Sequence, residues 1–154
     1  MLILAGPDSR FELDIVNYQF PNAELDGWDS EWLQVSGRVE SSRGRWNFLD
    51  SCLTTFELAS LATWLVARQA VGAESRIFFT EPNLSLERVL DSGGGVLRVY
   101  FSHEASPPWA TSDEKMGDGF IVDIPLESIN LQETTQSLTD LCEKFPVRAH
   151  PGGG

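Results

Sequence analysis

Lysine, histidine and cysteine are all scarce in this chain of 154 residues, and each scarcity argues against a class of protein. Lys115 and Lys144 are the lysines, and 11 basic residues face 23 acidic ones, which gives a net charge of −12. A surplus of that sign repels phosphate groups, so it argues against binding to nucleic acid or to an anionic membrane. It suits a basic protein partner, although acidic charge also simply keeps a protein in solution.

The residues that carry common catalytic and metal chemistry are missing or isolated. Cys52 and Cys142 are too few for a disulfide framework and have no metal-ligand spacing. His103 follows a predicted strand, where a lone histidine is more often a surface residue than a catalyst. No G-x-S-x-G occurs, and no Lys-Ser/Thr follows the three glycines at 93–95. The sequence therefore predicts no enzyme and no catalytic, cofactor-binding or metal-binding residue.

Long hydrophobic runs are also absent. No stretch approaches the ~20 apolar residues of a membrane span, and the apolar start lacks the charged region of a signal peptide. We therefore expect a cytoplasmic protein. Residues 1–148 are predicted to form a single α+β domain, and residues 149–154 a flexible C-terminal tail. The sequence leaves the oligomeric state open.

Alternating apolar and polar residues predict strands in both halves of the chain. A capping box formed by Thr54 and Glu57 predicts the start of a first helix, with Gly72 as its end. Asn130 is the predicted cap of a second helix, which Pro146 terminates. The strands are expected near residues 11–20, 32–39, 45–49, 76–80, 84–90, 96–101 and 120–124.

Frequent turn signals and few long crossovers favour antiparallel pairing. The predicted fold class is α+β, with a curved, mainly antiparallel β-sheet of about seven strands packed with two α-helices. The expected order is βββα-ββββ-α.

An acidic, tryptophan-containing loop is the first candidate site. It contains Glu24, Asp26, Trp28, Asp29, Glu31 and Trp32. Clustered carboxylates suit Ca²⁺, but the loop lacks the order of an EF-hand, so a solvated loop is the preferred alternative to metal. A third interpretation is an interface, with an exposed tryptophan flanked by acids that anchors a basic partner.

Two further segments have both structural and functional interpretations. Trp109 sits in a stiff Pro-Pro-Trp turn, where it either plugs the end of the sheet or stands at a binding surface. Glu81 could act as a general base only beside a second carboxylate, whereas Pro82 and Asn83 are typical of a turn between strands.

Six segments together resemble the bacterial WapI-type immunity proteins. They are FELDIVNYQFP at 11–21, SEWLQVSGRV at 30–39, WNFLDSCLT at 46–54, FTEPNLS at 79–85, LRVYF at 97–101 and PPWA at 107–110. The resemblance covers residues 11 to 148 and implies a small cytoplasmic protein that neutralises a toxin delivered by cell contact. It implies direct inhibition, and no catalytic residue carries over.

Many toxins of such systems are nucleases with basic active surfaces, so the resemblance implies a basic toxin domain as the partner. An acidic inhibitor would cover that surface and be steered onto it. The residues predicted to bind the partner are Asp26, Trp28, Asp29, Glu31 and Trp109.

Two other functions stay open. A curved sheet under helices can leave an apolar pocket, which would make the protein a small-molecule-binding module. The last alternative is a hydrolase that uses two carboxylates a few ångströms apart in a cleft.

Overall fold

A computed structural model describes residues 1–22, 27–67, 75–90 and 92–148. Within those residues the chain forms eight strands and three α-helices in an α+β arrangement. The strands are β1 (Leu2–Ala5), β2 (Arg10–Tyr18), β3 (Trp32–Ser41), β4 (Gly44–Thr54), β5 (Arg76–Ile77), β6 (Leu84–Val89), β7 (Val96–Phe101) and β8 (Phe120–Pro125). The helices are α1 (Thr55–Val66), α2 (Ser112–Met116) and α3 (Leu131–Lys144).

The predicted fold class is confirmed, and the strands pair antiparallel throughout the described parts of the chain. They form two sheets of four strands, in the orders β1-β2-β3-β4 and β5-β6-β7-β8, where the sequence suggested one curved sheet. Within each sheet, every strand pairs with the next one along the chain, which is a meander arrangement. The α1 segment separates the two sheets along the chain.

The structure adds two elements to the predicted order. The apolar start forms β1, in which Leu2 and Leu4 are buried and pair with β2. The second addition is α2, a five-residue helix that a capping box of Thr111 and Glu114 initiates. Four and five residues are too few to show a clear period in the sequence.

The helix starts agree with the prediction. Thr54 and Glu57 form the expected capping box of α1, and the Asn130 side chain accepts a hydrogen bond from the Glu133 backbone N–H. The predicted stop at Gly72 and the predicted tail at 149–154 lie outside the described residues. Both helices bury leucines, and they pack against each other, with α3 also covering β1.

Aromatic rings join the inner faces of the two sheets. Trp46 of β4 meets Phe101 and Phe120 of the second sheet edge to face, with ring centroids 5.3 and 5.2 Å apart. Phe11 of β2 meets Phe101 in the same way at 5.1 Å. Such pairs contribute about 0.5–1.5 kcal/mol each beyond the area that they bury. The Trp46 indole N–H donates to the Ala105 carbonyl, so its polar atom is also satisfied.

Gly37 provides a test of this packing. It pairs with Phe48, and a Cβ atom at Gly37 would lie 2.1 Å from the Phe48 ring. We expect Gly37→Ala to lower the free energy of unfolding by about 1–3 kcal/mol, because the ring must move within a packed core. Chemical denaturation measures this. Gly27→Ala is the matched control, since among the described residues its Cβ would meet nothing closer than 3.9 Å; an equal loss in both variants would contradict the steric explanation.

Candidate interaction surface

The residues predicted to bind a partner do not form one surface. Trp28 and Asp29 lie in a 3₁₀ turn just before β3, whereas Trp109 lies against Gly44 at the far end of the β3–β4 hairpin. Because β3 has ten residues, these ends are separated by about 30 Å along the strand. Asp26, like Glu24, lies outside the described residues.

Trp109 packs as an extension of the core. Its ring meets Trp46 edge to face at 5.6 Å and Phe120 at 6.2 Å, and 42% of the residue is exposed. These contacts are those of a plug at the end of the two sheets. The predicted patch is thereby divided, and Trp109 belongs to the end opposite Trp28.

Glu31 is buried, which corrects the expectation of a carboxylate at the surface. It is 0% exposed, and its carboxylate accepts hydrogen bonds from the Thr55 hydroxyl and, at 2.8 Å, from the Arg148 backbone N–H. A buried carboxylate needs such donors to offset its lost hydration. Glu31 therefore ties three distant chain segments together and is not accessible to a partner.

An exposed aromatic pair lies near the start of β3, at the end that carries Trp28. Trp28 stacks on Phe56 of α1 with ring centroids 5.6 Å apart and planes at 18°. The residues are 59% and 38% exposed. Phe20 is also exposed, and it lines a shallow hollow together with Asp29, the neighbour of Trp28 in the chain. Sequence reasoning missed Phe56, although its position off the Leu58–Leu61–Leu65 stripe indicates an outward-facing ring.

Carboxylates gather beside this pair. Burial raises the pKa of the Cys52 thiol to about 12, and the negative charges of Asp50, Glu57 and Glu81 also act to raise it, so the three acids lie within electrostatic range of one thiol. Glu57 also accepts a hydrogen bond from the Thr80 backbone N–H. Cys52 is thus a neutral core residue in an acidic region of the protein.

Asn83 connects this cluster to a fourth acid. Its side-chain nitrogen, in a residue that is almost wholly buried, donates to Asp50 at 2.7 Å and to Glu104 at 3.1 Å. Burial, and then the charge of Glu104, raise the pKa of Asp50. Through this amide the two carboxylates form a bridge between the sheets.

We call this region the acidic end; it comprises Trp28, Asp29, Asp50, Phe56, Glu57, Glu81 and Glu104. Within the described ranges, the ion pairs join Arg10 to Glu12, Arg43 to Glu114, Arg98 to Asp123 and the N-terminus to Asp14, and none involves the acidic end. Among the residues that the structure describes, no group of three or more metal-ligating side chains is placed to hold an ion. The negative charge at this end is therefore left without a bound cation from the described chain.

A family model decides what kind of protein presents this surface. The Immunity protein WapI-like family matches residues 2–146, nearly the whole chain. The chain belongs to the WapI-like immunity protein family. The resemblance read from the sequence is thereby confirmed. No curated protein matches this chain.

In this immunity protein, Arg148 fastens the loop that carries Trp28. Its guanidinium donates to the Phe20, Pro21 and Ser30 carbonyls and lies 3.8 Å from the centre of the Tyr18 ring. Its backbone N–H holds the Glu31 carboxylate. Arg148 therefore holds the two described parts of this loop, residues 19–22 and residues 27–31, close to each other.

No helix in the described ranges is long and apolar enough to cross a membrane.

Removing the Arg148 side chain should loosen this immunity protein. We expect Arg148→Ala to lower the free energy of unfolding by about 2 kcal/mol, because it deletes charged hydrogen bonds to carbonyls and a ring contact. Thermal or chemical denaturation measures the change. Arg10→Ala, which deletes a partly exposed pair with Glu12, should cost less than about 1 kcal/mol. Similar losses in both variants would show that Arg148 does not fasten the loop.

The pKa of Asp50 gives a second prediction. Because it is raised in the folded protein, the folded state holds that proton more tightly, and ionisation of Asp50 destabilises the fold as the pH rises through the folded pKa. We expect Asp50→Asn to be at least as stable as the wild type at pH 7. That relative gain should shrink as the pH falls towards about 4, the ordinary pKa of an aspartate.

Denaturation curves at several pH values test this, with Asp118→Asn as the control that removes the same charge from an exposed loop. A loss above about 1 kcal/mol at pH 7 for Asp50→Asn alone would mean that the hydrogen bond from Asn83 outweighs the repulsion by Glu104.

Proposed function

We propose that this protein is a non-catalytic, cytoplasmic inhibitor that binds the toxin domain encoded with it, and that the acidic end is the surface that makes contact. Membership of an immunity family supports a toxin as the partner. The observation that carries the choice of surface is a group of carboxylates that have no ion pair with any described residue and lie on the same side as exposed aromatic rings.

The charge at this end favours a basic partner. Asp50 and Glu104 share the Asn83 amide, and repulsion between them is relieved when positive groups approach. A toxin domain that acts on nucleic acid has such a basic surface, which the inhibitor would cover. Opposite potentials also speed the encounter, which matters for an inhibitor that must capture its toxin before damage occurs.

The aromatic pair supplies apolar contact area, which the charged groups do not. Trp28 and Phe56 present flat, rigid apolar area beside the acids, and tryptophan is enriched among the residues that dominate binding energy. Such an anchor slows dissociation, whereas the acids around it mainly speed association. Both features together are what a tight, fast inhibitor requires.

The target can be identified by co-expression. The tagged protein is produced together with inactive variants of the C-terminal toxin domains encoded beside its gene, and complexes are isolated. Recovery of one domain in a 1:1 complex would establish the inhibitor function and name the target. If every soluble toxin domain fails to bind, the proposed function is wrong.

Charge reversal tests the surface itself. We expect Asp29→Arg combined with Glu81→Arg to slow association about tenfold at low salt, with a smaller effect at high salt, because screening weakens the steering. Asp113→Arg with Asp118→Arg makes the same change in net charge at the opposite end, and should slow association less than about twofold. Binding kinetics at two salt concentrations give the answer; equal effects would mean that net charge matters and the acidic end does not.

The two exposed tryptophans make a second comparison. Trp28→Ala should raise the Kd at least about tenfold, chiefly through faster dissociation, because it removes the anchor. Trp109→Ala should leave the Kd of the folded protein unchanged while lowering the melting temperature, because Trp109 packs on Trp46 and Phe120. The reverse result would move the interface to the hairpin end.

A further inference from the structure

A second feature lies at the other end of α1. A cavity of about 270 Å³ opens between the last turn of α1, strands β6 and β7, and the start of α3. Its lining is aliphatic: Leu65, Leu90, Leu97, Leu126, Ile129 and Leu131. Phe56 and Leu65 are nine residues apart on α1, so the cavity lies about 14 Å along the helix from the aromatic pair. No residue of the acidic end lines it.

Arg88 is the basic residue of this lining. Its guanidinium lies 4.1 Å from the centre of the Trp64 ring, and one N–H donates to the Trp64 carbonyl at 2.8 Å. Burial lowers the pKa of Arg88. None of the ion pairs in the described parts of the chain involves this residue.

Within the described residues, Arg88 is thus a half-buried cation without an ion pair. A guanidinium has five N–H donors arranged to hold a carboxylate by two parallel hydrogen bonds. The Trp64 carbonyl uses one of them and neutralises no charge. The cavity therefore combines an apolar wall with one cation that lacks a counterion among the described residues.

We propose that this cavity is a binding site for a small aliphatic carboxylate, whose chain lies among the leucines and whose carboxylate pairs with Arg88. Apolar lining with one fixed polar group is the usual composition of small-molecule sites. The volume is just below the ~300–1,000 Å³ of typical ligand pockets, which limits the ligand to a short chain. This site is independent of the toxin-binding proposal.

Glu127 also lines the cavity and would favour an amine if it were the residue that selects the ligand. It is exposed, whereas Arg88 is half-buried, so water screens the Glu127 charge more strongly. Arg88 is therefore the residue expected to set the sign of the ligand charge. The two residues give opposite predictions, which makes the assignment testable.

Calorimetric titration with octanoate, octylamine and octanol at pH 7 tests the site. We expect octanoate to bind at one site per chain and at least about tenfold more tightly than octanol, with no saturable binding of octylamine. No binding of octanoate at millimolar concentration, or equal binding of octanoate and octanol, would overturn the proposal. Preferential binding of octylamine would assign the site to Glu127 and overturn it as well.

Three variants locate the ligand. Arg88→Gln should weaken octanoate binding about tenfold, whereas Glu127→Gln should leave it unchanged or tighten it. Ile129→Phe fills the cavity without touching a charge and should abolish binding. Melting temperatures establish that each variant is folded. Octanoate binding that survives both Arg88→Gln and Ile129→Phe would place the ligand elsewhere and overturn the proposal.

Discussion

The edge-to-face packing of Trp46 on Phe101 and Phe120 is the contact on which the arrangement of the two sheets depends. It joins β4 to β7 and β8, which no backbone hydrogen-bond ladder connects in the described parts of the chain. Trp109 adds a further ring to the same cluster, so its side chain is committed to packing even though part of it reaches solvent. Trp28 is held differently, by stacking on Phe56 at the surface, and that leaves its other face open to a partner.

The local features of the fold were predictable from the sequence, and the reason is their range. The capping box of Thr54 and Glu57 involves residues three apart, and the strands show their period within a few residues. The burial of Glu31 was not predictable, because its partners are Thr55 and Arg148, which lie 24 and 117 residues away. Sequence proximity likewise suggested that an acid near Trp28 faces solvent, although the following turn directs Glu31 inward.

The candidate surface was likewise predictable from the sequence only in its local features. Trp28 and Asp29 were recognisable as an aromatic residue among acids in a loop. Asp50 and Glu104 come from separate segments, and they meet because the Asn83 amide donates to both. Trp28 and Trp109 lie near opposite ends of β3, so the length of this strand separates them. Predicting that separation would require knowing which strand each loop adjoins.

The acidic end is a place where stability and binding make opposite demands. The raised pKa of Asp50 means that its charge is held at a cost to the fold, and a partner with positive groups would relieve that cost. Glu57 lies in the first turn of α1, where free backbone N–H groups and the helix dipole favour its negative charge. Glu57 makes this direct, since its carboxylate accepts the Thr54 backbone N–H.

At the C-terminal end of α1 the helix dipole has the opposite sign and favours positive charge. Arg88 donates to the Trp64 carbonyl in the last turn, where the helix dipole favours a cation. One helix thus presents an acidic surface at its start and a cationic, apolar cavity at its end. Because its length keeps the two chemistries apart, a ligand in the cavity and a partner on the acidic end would not compete for the same residues.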